Sequence, residues 1–515
     1  MDSTIASVHG ASDVLRSIPR PEYPIQVFTG APPAFSLEAQ RDVMRWSHER
    51  GHFLPDPNWV NGPNIKGIKE TVWPFLQRFG CKPGDEISIT FLADGGFNRV
   101  YGIQTPVRSY VFRVAFPVDP YYKTEADVAT SELVRHFTTI PVPKIYAYDS
   151  STQNGLGLEW ILMDQITSGE GLHCSWEAIE YGTKVRLAEM AADWSAQLAN
   201  ITSNKIGSVY MRRADNDLEF FIGRCVSNLF TQENRLLYDV SRGPFESLQD
   251  YYTALLTIAK LDVEEATLAY KAESFRFEEK DSRFKGTFLD QSVFFFLDDP
   301  YEKPDEELLK DRMVELELLA TGIGSLQAAL PELCAKAESP REMVTMLAHG
   351  DLSQWNIFVD DNGNPVAVLD WENIKLAPLL FLTRPPVFID SAEDLHEPEH
   401  KDVESLESID PEERAKYVKD NEEWYAEHLN DYQCTMLRQV YHERLKSLGS
   451  QLANAVADNF PEFERELLDH VVCFSWQAED HVEWVDTQLS EETKAAETNT
   501  SEEEEEGGAS KGALI

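Results

Sequence analysis

Asp351, Asn356 and Asp370 are the residues whose type and spacing most plainly allow chemistry. Asp351 and Asn356 stand five residues apart in His349-Gly350-Asp351-Leu352-Ser353-Gln354-Trp355-Asn356. A carboxylate and an amide so close on a tight loop offer one base and one oxygen ligand. Two β-prone runs follow, Ile357-Phe358-Val359 and Val366-Ala367-Val368-Leu369, joined by Asp360-Asp361-Asn362-Gly363-Asn364-Pro365. The Asn-Gly step between such runs predicts a hairpin. That hairpin folds Asp370 back towards Asn356, so that an amide oxygen and a carboxylate can converge on one cation. Hard oxygen donors suit Mg2+, which takes one or two protein ligands beside waters and substrate phosphates. The plainer reading is a polar loop ending in an acidic strand.

The elements that must position these groups come earlier in the chain. Ile87-Ser88-Ile89-Thr90-Phe91 alternates as a strand does, and Asp94-Gly95-Gly96-Phe97-Asn98 interrupts it. Arg99 to Ile103 and Tyr110 to Ala115 read as two further strands. Gly95 and Gly96 would let backbone N–H groups approach phosphate oxygens, although Asp-Gly-Gly alone is an ordinary turn. Thr124 to Val134 predicts a helix with a Thr cap and acids in its first turn. Ile140 to Tyr148 is a strand entered through prolines, and Leu158 to Asp164 is a buried one. Leu187, Met190, Ala191, Trp194 and Leu198 recur at helical spacing as a core stripe. Further helices are expected from Leu37 to His48, through Ile68 to Trp73 before Pro74, from Glu412 to Leu448 with a break, and from Phe463 to Asp480. The first 35 or so residues read as an irregular lead-in, and Phe294 to Phe296 as strand-like.

The His349–Asn356 stretch, followed by Asp370-Trp371-Glu372, resembles the aminoglycoside phosphotransferase family of protein-kinase-like enzymes. Their pattern reads His-Gly-Asp-x-x-x-x-Asn and then an Asp opening Asp-Trp-Glu or similar. The long aromatic stretch from about 205 to 345 is similar to that of fungal members. The resemblance implies an α+β fold of two lobes, a small β-rich N-lobe and a large, mainly helical C-lobe. It implies ATP and Mg2+ as cofactors and a small-molecule hydroxyl as the phosphate acceptor. On it, Asp351 is the catalytic base, while Asn356 and Asp370 hold Mg2+. Gly95 and Gly96 lie over the phosphates, and Arg113 stands where the family usually carries a strand Lys. Arg keeps the charge but presents a planar fork, so the exchange is not neutral. Asp127 would pair with Arg113 from the following helix, with Glu132 as fallback. Met163 and Gln165, flanking Asp164, would meet the adenine edge. His349 is expected to buttress the loop and Trp355 to pack.

On this reading residues 1–85 form an N-terminal extension, 86–165 the N-lobe and 166–490 the C-lobe with its insertions. Residues 491–515 form an acidic tail too polar and too like-charged to pack. Two other classes stay open: a nucleotide-binding, pseudokinase-like scaffold and a protein kinase. The absence of Asp-Phe-Gly and Ala-Pro-Glu segments speaks against the second.

Composition narrows the partners. The 515 residues carry a formal net charge of −43, which disfavours nucleic acid and anionic membrane surfaces, both of which call for clustered Lys and Arg. No apolar run is read as long enough to span a bilayer. Asp390, Glu393 and Asp394 could meet a cationic acceptor or simply be solvated loop acids. Six scattered cysteines form no Cys-x-x-Cys pair, which fits reduced thiols. No apolar leader stands in the first thirty residues, so the cytoplasm is expected. Oligomeric state is not legible.

Overall fold

In a computed structural model the described residues are 14–19, 32, 35–47, 56–213, 217–271, 306–337, 344–382, 384–399, 410–453, 462–472 and 481–489. The chain divides into two compact units. One comprises Met1–Val43, Asn61–Ser227 and Met343–Phe460; the other comprises Met44–Val60, Asn228–Glu342 and Pro461–Ile515. The fold is mixed α+β, with a β-rich N-terminal region and a mainly helical C-terminal region. The Phe294–Phe296 run and the acidic segment 491–515 lie outside the described residues.

The first unit is built on a five-stranded antiparallel sheet. Its spatial order is Ser88–Asp94, Asn98–Gln104, Ser109–Ala115, Trp160–Asp164 and Ile145–Asp149. Along Ser109–Ala115 the even positions Tyr110, Phe112 and Val114 are buried, which turns Arg113 to the opposite face. The helix Tyr122–Phe137 packs beside this sheet, and Val128, Leu133 and Val134 join a core with Ile145, Tyr148 and Ile161. The same core takes in Leu187, Ala191 and Trp194 of the helix Tyr181–Ala199 and Leu437, Tyr441 and Leu445 of the helix Pro411–Ser447. It also includes Leu347, Leu352, Ile357, Val359, Val368 and Trp371, the apolar residues interleaved with the candidate chemistry. Polar loop residues are therefore fixed by neighbours that cannot leave the core without exposing apolar surface.

The second unit pairs two helices, Leu248–Lys271 and Glu306–Ala337, through Ala259, Val263, Ala266, Leu316 and Ile323. Within the latter, Met313–Lys336 has a mean hydropathy of 1.2 and is long and apolar enough to cross a membrane. This corrects the expectation that no such run exists. Small and weakly polar residues (Thr321, Gly322, Gly324, Ser325) interrupt the apolar ones without adding charge, so it does not read as a continuous run. It packs against Leu248–Lys271.

Several local expectations are corrected. Val14–Pro19 is a strand, paired with Asp217–Gly223, rather than irregular lead-in. The first predicted helix stops at Val43, and Met44–Ser47 pairs as a strand with Asp56–Trp59. The next helix runs over Ile65–Arg78 straight through Pro74. The proline leaves the carbonyl of Glu70 without its usual partner, at an exposed residue where the loss of that bond is tolerated. Pro411–Ser447 is one unbroken helix.

Candidate functional site

The loop, hairpin and metal-ligand expectations fall within one short stretch of the first unit. Ile357–Val359 and Pro365–Val368 form the two arms of the hairpin. Asp360 Oδ1 accepts the N–H groups of Asn362 and Asn364, and Gly363 turns the chain at φ 74°. Beyond the second arm the Leu369 N–H donates to the Asn356 carbonyl at 2.8 Å. Asp370 is thereby set next to Asn356, in the left-handed conformation at φ 64° that few non-glycine residues adopt.

Asn356 Nδ2 donates to both the carbonyl and Oδ2 of Asp351, each at 2.9 Å. The exposed Asp351 carboxylate is thus held by one side of the amide, and no described donor occupies Asn356 Oδ1. His349 locks the loop from beneath. Its Nδ1 accepts the Asp351 N–H at 3.2 Å, so Nε2 carries the proton and donates to the Leu369 carbonyl at 2.9 Å. Burial holds its pKa below the usual imidazole value, so the ring is neutral and acts as a brace. Trp355 corrects its expectation of packing: it is 68% exposed and stacks on the His173 ring at 3.7 Å.

Arg113 and Asp127 pair at 2.7 Å, Nη2 to Oδ2. Glu132, the fallback, instead accepts from Arg135 at 2.6 Å. Three further residues enter the cluster that sequence reasoning passed over. Lys123 Nζ lies 3.0 Å from Asp127 Oδ2 and 2.6 Å from Glu372 Oε2. Arg113 Nη2 reaches the same Glu372 oxygen at 3.1 Å, and Asn98 Nδ2 donates to it at 2.5 Å. Thr124 as the cap sets the predicted helix after Lys123 and so hides that residue. The helix begins at Tyr122, with Tyr121 at φ 73° before it and no side-chain cap. That start puts Lys123 four residues before Asp127 on one helical face, a spacing the sequence does display. Glu372 was visible in Asp-Trp-Glu but had no assigned partner; Asn98 gave no signal.

The electrostatics follow from the count of charges. Two cations, Arg113 and Lys123, face three carboxylates, Asp127, Glu372 and Asp370. Burial opposes the charge on Glu372, but Lys123 and Arg113 outweigh it and hold the carboxyl down at about 2. Asp370 is pushed well above the usual range by burial and by repulsion from Glu372. No described donor reaches its carboxylate. A half-buried carboxylate that no described donor reaches, beside an amide oxygen likewise without one, is a donor set that fits a small hard cation. No group of three or more His, Cys, Asp or Glu side chains of metal-holding arrangement exists among the described residues; Asn356 and Asp370 supply two donors only.

The remaining expected residues are placed less tightly. Gly95 and Gly96 lie in the exposed turn between the first two strands, where Gly95 N–H donates to the Asn98 carbonyl at 2.8 Å. A Cβ on Gly96 would meet nothing within 4 Å, so the turn stands open. Arg99 closes the turn by donating to both Asp94 oxygens at 2.6 and 2.8 Å. Met163 sits opposite Val111 at the end of Trp160–Asp164, and Gln165 follows with its Oε1 buried and unpaired.

Comparison with known proteins adds a partial match. Residues 245–381 match the model of the phosphotransferase enzyme family, a span that includes the His349–Asn356 loop and Asp370. A subtelomeric hrmA-associated cluster protein of Aspergillus fumigatus is 28% identical over 167 residues, 30% of this chain and 32% of the relative. The mitochondrial "altered inheritance of mitochondria protein 9" of Eremothecium gossypii is 23% identical over 370 residues, 65% of this chain and 56% of the relative. The chain thus spans from about a third to just over half of these relatives. Among solved structures, aminoglycoside phosphotransferase APH(4)-Ia overlaps 80% of this chain and 99% of its own, at 15% identity and TM-score 0.32. A ternary complex of a thermostable mutant of that enzyme with AMP-PNP and hygromycin B gives 16% identity and TM-score 0.29 over 78% and 98%. Overlaps this weak establish no activity. What the chain shares by sequence with the phosphotransferase enzyme family is residues 245–381, the His349–Asn356 stretch included.

Proposed function

We propose that the protein is an ATP-dependent phosphotransferase acting on a hydroxyl of a small molecule. The observation that carries this reading is the joining of Asp351, Asn356 and Asp370 by one loop and hairpin, in the same unit as the Arg113–Asp127 pair. The family match over residues 245–381 supports it. Mg2+, held by Asn356 and Asp370, would neutralise charge on the phosphates when bound.

The chain's own residues do the rest. Asp351, exposed and oriented by Asn356, accepts the proton of the acceptor hydroxyl. His349 fixes the loop backbone and stays neutral. Arg113 donates to phosphate oxygens, and the open Gly95-Gly96 turn allows backbone N–H groups to approach them. Phosphoryl transfer passes through a loose transition state, so positioning and charge neutralisation supply most of the acceleration.

The test is thermal unfolding with ATP, with and without Mg2+, for the wild type and Asp370→Asn. A ligand at a hundred times its Kd stabilises the native state by about 2.7 kcal/mol. Stabilisation that needs Mg2+ and shrinks in Asp370→Asn is the expected result. No response to any nucleotide would sink the reading. Binding without ATP consumption, across a screen of hydroxyl acceptors, would turn it towards a nucleotide-binding scaffold.

A further inference from the structure

Lys123 is the most enclosed cation of the cluster, with its side chain 2% exposed. Its ammonium has three protons and three acceptors around it: Asp127 Oδ2 at 3.0 Å, Glu372 Oε2 at 2.6 Å and Asn98 Oδ1 at 3.4 Å. It is saturated. Arg113 touches the same two carboxylate oxygens through Nη2 alone, and its buried Nε has no acceptor. A guanidinium carries five N–H donors in a rigid fork, so most of this one is unspent. Were Lys123 absent, Arg113 alone would have to neutralise both carboxylates, and its fork would be drawn into them.

We propose that Lys123 is a positioning residue. By sharing Asp127 and Glu372 with Arg113 Nη2 it ties the Tyr122–Phe137 helix to the segment after Asp370 and leaves the remaining donors of the Arg113 fork for the anionic oxygens of a nucleotide. The inference rests on the nucleotide-binding reading above. It assigns the two cations different work: Lys123 balances the carboxylates, and Arg113 meets the phosphates.

Calorimetric titration of the full chain with AMP-PNP and Mg2+ tests it through a double-mutant cycle. Lys123→Gln is expected to weaken binding about tenfold in the wild-type background, yet by less than about twofold on top of Arg113→Gln, because the residue it acts through is gone. Lys123→Gln combined with Asp127→Asn removes one cation and one carboxylate together, and should bind within about threefold of wild type. Losses that multiply across Lys123 and Arg113 would overturn the proposal and make Lys123 a direct phosphate contact. Undiminished affinity in Lys123→Gln would overturn it too. If Lys123→Gln does not fold, the charge-balanced pair decides alone: recovery supports the proposal, and a tenfold deficit rejects it. No binding by the wild type fails the nucleotide reading itself, an outcome distinct from any pattern among the variants.

Discussion

Two charge clusters, one in each unit, each join an arginine to a buried aspartate and differ in how they close. In the second unit Arg235 donates to Asp262 Oδ2 through Nε at 3.1 Å and Nη2 at 2.9 Å, while Tyr238 donates to Oδ1 at 2.9 Å. Both oxygens of Asp262 are occupied, and the second carboxylate of the cluster, Glu265, is only half-buried. In the first unit Asp127 Oδ1 is buried without a partner, and Asp370 has no described donor at all. Burial still holds Asp262 above its ordinary pKa, despite Arg235, so even the closed pair is no strong source of stability in itself. The difference lies in the donors: one cluster satisfies its aspartate, whereas the other leaves a carboxylate without a described donor, the group to which the proposed function assigns Mg2+.

Removing a charge from each should therefore act in opposite senses. Arg235→Ala strands Asp262 in the interior and should cost about 3–5 kcal/mol of stability, read from the urea midpoint. Nucleotide affinity, if the unit holds together, should not change. Asp370→Asn removes the surplus charge without changing volume, so the ligand-free protein should be no less stable and its midpoint should rise. The same variant should lose Mg2+-dependent stabilisation by ATP. A fall in the ligand-free midpoint would mean that Asp370 is paired in solution, and the distinction between the clusters would collapse.

Much of the open cluster was legible, for identifiable reasons. The loop and hairpin were readable because Asn362-Gly363 and the flanking β-prone runs are local signals, satisfied within a few residues. Arg113 and Asp127 were paired because the family resemblance sets an acid of the following helix against the strand cation, and the two side chains do meet at 2.7 Å. Lys123 and Glu372 escaped for different reasons. A helix start displaced by two residues hid the i,i+4 relation of Lys123 to Asp127, since Tyr121 enters the helix through a left-handed turn and no capping side chain marks it. Glu372 meets Lys123 across 249 positions of chain, a relation that no local pattern encodes. The closed cluster was not foreseen at all, because Arg235, Tyr238 and Asp262 look like ordinary surface residues until burial is known.

A smaller change opens the closed cluster without removing a charge. Tyr238→Phe deletes the single O–H proton shared between Asp262 Oδ1 and Glu265 Oε2, the latter at 3.1 Å. Leaving a buried acceptor short of one hydrogen bond should cost about 1–3 kcal/mol, less than Arg235→Ala. If the two variants cost the same, the tyrosine rather than the arginine is what closes the cluster.

A third kind of buried acid isolates the effect of burial itself. Glu159 accepts the Tyr121 N–H at 2.6 Å, at the start of the helix that carries Lys123 and Asp127. No described cation pairs with it directly. Burial lifts its pKa from 4.5 to about 8, against the pull of Thr124, Tyr121 and Lys123. Because the folded value lies above the unfolded one, the native state binds more protons than the unfolded chain between these limits. The contribution to stability is therefore full below about pH 4.5 and is lost as pH rises through about 8. Glu159→Gln keeps the acceptor for the Tyr121 N–H and abolishes the titration. Urea midpoints across this window should fall less steeply with pH in the variant than in the wild type, the two proteins differing most at the alkaline end. Parallel curves would show that Glu159 is already ionised in the fold, held by Lys123 across the cluster, and that the carboxylate excess beside Arg113 is one larger than the contacts suggest.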